Sequence, residues 1–127
     1  MLDYNSTTPI YMQIANWLET EILKGRFQID EKVYSQYQLA DMFQINPATA
    51  AKGLTLLSEQ NILYDRRGLG KFVSKDAVNI IKEKRKNEVV TKLIKQLVIE
   101  ARYLDMEEHK LLEMIKEIYR AEGEEET

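Results

Sequence analysis

Asn46-Pro47 constrains this chain more than any other pair of neighbours. Asparagine is a strong helix N-cap, because its side-chain oxygen accepts an orphan N–H of the first turn. Proline fits the first helical position, where its missing N–H costs nothing and its φ is already helical. A helix therefore starts at Asn46 and runs to Gln60. Before it, Leu39 to Phe43 reads as a short helix and Gln44-Ile45 as a tight break. After it, Ile62–Arg67 and Lys71–Ser74 read as two strands around Gly68-Leu69-Gly70. Helix, tight turn, helix and glycine-tipped hairpin follow in the order that a helix-turn-helix with a wing requires.

The flanking segments give this unit a core. Ile10, Ile14, Trp17, Leu18 and Ile22 recur at three- and four-residue steps, an amphipathic stripe. Thr8 is placed to cap that helix, Pro9 to occupy its first position, and Gly25 to end it in the left-handed region. A very short strand is expected around Lys32–Tyr34. Ser35 and Gln38 have capping-box spacing and open the second helix, with Leu39, Met42 and Phe43 as inward candidates. Gln44 must take the turn position where glycine would be easier. Asn61 suits a left-handed residue at the end of the third helix. On that helix Ala50, Leu54 and Leu57 form the inward face. Ala48, Thr49, Ala51, Lys52 and Thr55 form a small, weakly polar outward face, able to approach a groove floor closely.

From Asp76 the character changes. Residues 82–86 are Lys-Glu-Lys-Arg-Lys, a charged helical segment without an apolar face. Val89, Val90, Leu93, Ile94, Leu97, Val98 and Ala101 then form a broad apolar stripe. Asp105 and Glu108 sit at capping-box spacing before a last helix with Leu111, Leu112, Met114, Ile115, Ile118 and Tyr119 inward. Gly123 to Thr127 reads as a frayed acidic tail. Two helices are too few to enclose a core alone, so their stripes are expected to meet the first domain or a second copy of themselves, a symmetric dimer being the economical solution. The fold class is thus mostly α with a small β wing (α+β), divided into a head over residues 1–75 and a helical dimerisation or effector region over 76–127.

Composition excludes several chemistries. The chain has no cysteine and one histidine, His109, so thiolate sites are absent and triads or metal constellations lack parts. No catalytic residue, cofactor or metal is expected. There is no apolar run of membrane-spanning length and no export-type N-terminus, which suits a cytoplasmic protein. The net charge of −3 is unevenly spread: 14 Lys/Arg face 11 Asp/Glu through residue 99, and 4 face 10 beyond it. Arg66, Arg67, Lys71 and Lys75 cluster on the hairpin with no acid among residues 66–75. Local cations, not whole-chain charge, govern phosphate affinity.

Pro9 to Ile14, Leu39-Ala40, Asn46 to Leu54 and Arg66 to Val73 together resemble the GntR family of bacterial transcription regulators. The Asn-Pro-x-Thr start of the third helix and the short two-helix tail resemble its YtrA subfamily. The resemblance is specific over residues 9–74 and implies a winged helix-turn-helix, a homodimer and a palindromic double-stranded DNA operator. It further implies a repressor, with transporter operons as common targets. The chain departs from the family where arginines are usual: Tyr37, Pro47 and Ala51 stand in those places. Ser35, Tyr37, Lys52, Arg66, Arg67 and Lys71 are therefore expected to hold phosphates or to enter the minor groove with the wing, with Gly68 and Gly70 also in the DNA-binding set. Base readout is expected from Thr49, Ala48 and the wing, with Pro47 also in the DNA-binding set. Dimerisation falls to Val89, Val90, Leu93, Ile94, Leu97, Val98, Leu111, Leu112, Ile115, Ile118 and Tyr119. A small-molecule effector, if one acts, would bind at that interface. The competing expectation is a winged helix that serves only as a protein-interaction module, whose wing cations would be dispensable.

Overall fold

The computed structural model describes residues 2–126, with side chains described through residue 123. The chain forms two compact units, the first ending at Lys84 and the second beginning at Arg85.

In the first unit, α1 spans Ile10–Leu23. Pro9, not Thr8, is its N-cap, and no side chain caps it. Gln13 does the anchoring instead: its amide donates to the carbonyls of Asp3 (2.8 Å) and Thr8 (2.9 Å). Thr8 is thereby held by its backbone, one step outside the expected cap. Gly25, at φ 79°, turns the chain away as expected. Ile14, Leu18 and Ile22 are fully buried, each worth roughly 1.5–3 kcal/mol relative to exposure. Trp17 packs edge-on against Phe43 at 4.9 Å and stacks on Tyr34 at 6.1 Å.

Helix α2, Gln36–Phe43, opens on a complete capping box. Gln38 N–H donates to the Ser35 hydroxyl at 3.1 Å, and Ser35 N–H donates to Gln38 Oε1 at 2.8 Å. Leu39 is buried, but Met42 is exposed. Gln44 closes it at φ 53°, ψ 52°.

Helix α3, Pro47–Glu59, starts where Asn46 Oδ1 accepts the Ala48 N–H at 2.8 Å. Ala50, Leu54 and Leu57 are buried. Gly53 lets α3 approach α1 closely, since a Cβ there would lie 2.8 Å from the Tyr11 carbonyl oxygen. Asn61, at φ 63°, leads into the hairpin.

The hairpin pairs β1, Leu63–Arg66, with β2, Gly70–Val73, in antiparallel register Leu63↔Val73 to Arg66↔Gly70. Strand β1 is shorter than expected at both ends, while β2 has the expected length but begins and ends one residue earlier. Arg67 is taken into the turn, closed by Leu69 N–H on the Arg66 carbonyl at 2.9 Å with Gly68 at φ 78°. Ser74 falls outside β2 because its N–H and hydroxyl turn back to the Ile62 and Asn61 carbonyls. The expected short strand at Lys32–Tyr34 is a bridge of Lys32 to Phe72, supported by Val33 N–H on the Lys71 carbonyl at 3.0 Å.

Helix α4, Ala77–Arg85, has Ala77 and Ile81 in the first unit's core. Those two side chains carry the first unit past residue 75, to Lys84.

In the second unit a π-helical turn, Lys86–Val90, precedes α5, Thr91–Tyr103. Asp105, at φ 53°, ends α5 instead of capping the next helix. Its N–H donates to the Arg102 carbonyl at 3.2 Å, and Met106 N–H reaches the Ala101 carbonyl at 2.9 Å, the reversal that closes a helix C-terminus. Helix α6 is Glu108–Glu126. It continues through Gly123 and the glutamates expected to fray, while Thr127 lies outside the described residues. His109 is exposed and faces Glu113 one turn on at 3.2 Å. Among the described residues no helix is long and apolar enough to cross a membrane, and no His/Asp/Glu group could hold a metal ion.

Candidate nucleic-acid interface

The first unit brings the outward face of α3, the start of α2 and the hairpin into one head. At the start of α3, Pro47 and Ala48 are exposed and Thr49 is half-buried. Neither Pro47 nor Ala48 has a long side chain, so a partner can come close to the helix backbone. Lys52 is exposed, with its ammonium 4.1 Å above the Tyr11 ring. That stacking orients the cation without neutralising it. Sequence reasoning passed over Tyr11, whose position off the α1 stripe was its signal.

At the start of α2, the Ser35 hydroxyl accepts from Gln38 and keeps its own O–H to donate. Tyr37 is 69% exposed.

The wing cations differ in their engagement. Arg67 and Gly68 occupy the exposed tip, and Arg67 makes no hydrogen bond or ion pair among the described residues. Arg66 lies over Phe72, its guanidinium carbon 4.7 Å from the ring centre. Its strand partner Gly70 has no side chain to obstruct it. Arg66 also donates to the Tyr64 hydroxyl at 3.1 Å, and Tyr64 donates to Asp30 at 2.6 Å. Those bonds fix the wing against the segment before α2. The hydrogen bond to Asp30 raises the Tyr64 pKa above 10.0, with desolvation adding and Arg66 opposing. Lys71 is held furthest in: it donates to Ser58 of α3 at 2.9 Å and to Asp65 at 2.6 Å. It braces the wing on α3, and Asp65 already balances its charge. Gly70 is needed for its backbone, at φ 112°, a conformation that L side chains rarely adopt; the nearby Lys32 side chain could move aside. Lys32 is a further exposed cation, bridged to Phe72 of the wing. Sequence reasoning missed it because it follows two acids, Asp30-Glu31, and stands far along the chain from the wing's own cluster.

The residues expected to dimerise lie in the second unit. Leu111 is half-buried and the others are exposed, Tyr119 to 80%. A groove between α5 and α6 is lined by Ile94, Leu97, Val98, Leu111, Leu112 and Ile115.

No family model matches the chain. Among curated proteins, the transcriptional repressor YtrA of Bacillus subtilis is 36% identical over 117 residues, 92% of this chain and 89% of that protein. The chain belongs to the GntR family, in its YtrA-like branch. A GntR-family regulator from Listeria monocytogenes superposes with a TM-score of 0.70 at 28% identity, over 90% of this chain and 98% of that one. A second GntR-family regulator, from Bacteroides thetaiotaomicron, reaches a TM-score of 0.77 at 24% identity, over 90% and 99%, and speaks to the fold alone. This GntR protein is therefore a winged-helix DNA-binding transcription regulator and not an enzyme.

Proposed function

We propose that the chain acts as a cytoplasmic homodimer that represses transcription by binding a palindromic operator, with a transporter operon as the target. The observation that carries this reading is the pairing of two surfaces on one chain. The head presents the small, exposed start of α3 beside a wing tipped by Arg67. The second unit presents an apolar stripe on α5 and α6 that water does not favour leaving open. Two copies joined through that stripe offer two identical heads, and a two-fold protein matches a two-fold operator.

The division of labour follows from the geometry above. Pro47, Ala48 and Thr49 meet base edges, where a threonine or alanine methyl suits the thymine methyl. Ser35, Tyr37, Lys52, Arg66 and Arg67 hold phosphates, with Gly68 and Gly70 allowing the wing backbone to come close. Lys71 acts mainly by bracing the wing. The repressor named at 36% identity supports the sign of regulation. Protection mapping on the promoter upstream of the chain's own gene tests the whole reading. Two protected half-sites centred about 34 Å apart, or a multiple of that, are expected. A single protected site, or none, contradicts it.

A further inference from the structure

We propose that Lys32 holds a DNA phosphate in the cleft between the start of α2 and the wing, and is the cation on which that contact depends. The inference rests on the assignment of Ser35, Tyr37 and the wing to phosphates above.

Lys32 precedes α2 in the chain, yet its backbone is joined to the hairpin. It bridges Phe72 of β2, and the next residue, Val33, donates its N–H to the Lys71 carbonyl at 3.0 Å. Its side chain continues across the wing: Cε lies 2.9 Å, and Nζ 3.7 Å, from the point that a Cβ on Gly70 would occupy. Lys32 therefore lines one cleft together with Ser35 and Tyr37 of the α2 start and Gly68, Gly70 and Lys71 of the wing. A DNA backbone held by both walls of that cleft runs past Lys32.

The charges around the cleft leave Lys32 as the cation to meet it. Lys71 donates to Asp65 at 2.6 Å and to Ser58 at 2.9 Å. Arg66 donates to the Tyr64 hydroxyl and lies over Phe72. The two acids that precede Lys32 in the chain are occupied as well: Asp30 accepts from Tyr64, and Glu31 accepts the Gln28 N–H at 2.9 Å. Lys32 is exposed and makes no hydrogen bond or ion pair among the described residues. On the facing wall, Ser35 is followed by Gln36-Tyr37-Gln38, which carries no cation. Hydroxyls there can orient a phosphate, but a charged donor makes the stronger bond. An unpaired ammonium on a flexible four-carbon stem supplies that donor. A lysine can also serve only to guard an exposed strand edge against aggregation. The reach of Lys32 over Gly70 into the cleft favours the phosphate, and the two roles separate by experiment.

The test uses the full chain and two duplexes of equal length, the promoter upstream of its own gene and an unrelated sequence. Lys32→Met keeps a stem to lie over Gly70 and removes the charge. It should melt as the wild type does and bind both duplexes about two- to fivefold more weakly for each head engaged. The slope of log K against log salt should fall by about 1 per head. Lys32→Arg should bind as the wild type does. Promoter duplexes in which single phosphates are replaced by neutral methylphosphonates locate the contact: one position per head should weaken the wild type and leave Lys32→Met unaffected. An affinity and slope unchanged in Lys32→Met overturn the proposal, as does a methylphosphonate scan that is the same for both proteins. Aggregation of Lys32→Met with unchanged DNA affinity also overturns it and assigns Lys32 to the strand edge. Should Lys32→Met melt early, Lys32→Gln is read in its place by the same criteria. A wild type whose binding is indifferent to salt overturns the DNA-binding surface and the Lys32 contact together. Salt-dependent wild-type binding with unaltered Lys32 variants overturns the Lys32 contact alone.

Discussion

At the scale of single residues, the head is held by a few positions whose replacements have defined costs. Gly53 is where α3 comes closest to α1, and a Cβ would press on the Tyr11 carbonyl at 2.8 Å. Gly53→Ala should destabilise by about 1–3 kcal/mol, through forced displacement of the backbone. The check is a thermal melt, and an unchanged melting temperature would show that α3 can shift freely. Lys84→Ala removes the ion pair to the buried Glu19 carboxylate and the hydrogen bond to Gln60, and should destabilise the head by about 1–3 kcal/mol. Denaturant titration measures that loss directly. Tyr64 gives a pH signature. Its neutral hydroxyl donates to Asp30, so its folded pKa is raised. The bond's contribution is fully present below pH 10.0 and is lost as pH rises through the raised folded value. Amide exchange of β1, corrected for the intrinsic pH dependence of exchange, should thus be steady at neutral pH and quicken only in that alkaline range. Tyr64→Phe should quicken it at neutral pH and remove the alkaline step.

At the scale of elements, local signals were legible where a residue type has one physical use. The Asn46-Pro47 start, the Ser35/Gln38 capping box, left-handed Gln44 and Asn61, and the Gly68 turn all formed as their side chains require. Signals failed where two uses compete. Asp105 has capping-box spacing to Glu108, yet aspartate also tolerates the left-handed region, and ending α5 won. Glu124 to Glu126 carry like charges at the end of a helix, yet α6 continues through them. Lys84 lies in a run of charges that reads as solvated, and only the fold shows its pairing with Glu19. The wing's cations were legible as a cluster, but not that Lys71 is bonded inward to Ser58 while Arg67 is left at the tip. Long-range pairing of that kind has no sequence period. The apolar stripe carries a prediction at this scale: Leu97→Asp on α5 should convert a dimer to a monomer, read by light scattering. A variant that stays dimeric would place the interface elsewhere.

At the scale of the whole molecule, this GntR-family chain has no cation at Tyr37, Pro47 or Ala51, the places where the resemblance drawn from its sequence implied arginines. Its recognition helix brings one cation, Lys52, to the outward face. On the function proposed above, affinity is shared between Lys52, the wing and the joining of two heads. The most direct measurement is the affinity for operator DNA as a function of salt, for the wild type, Lys52→Ala and Arg67→Ala. Each substitution should weaken binding to all sequences alike. Each should also reduce the slope of log K against log salt by about 1 for every phosphate that a head no longer neutralises. A wild-type affinity independent of salt, or slopes that neither substitution changes, would contradict the assignment of α3 and the wing as the DNA-binding surface.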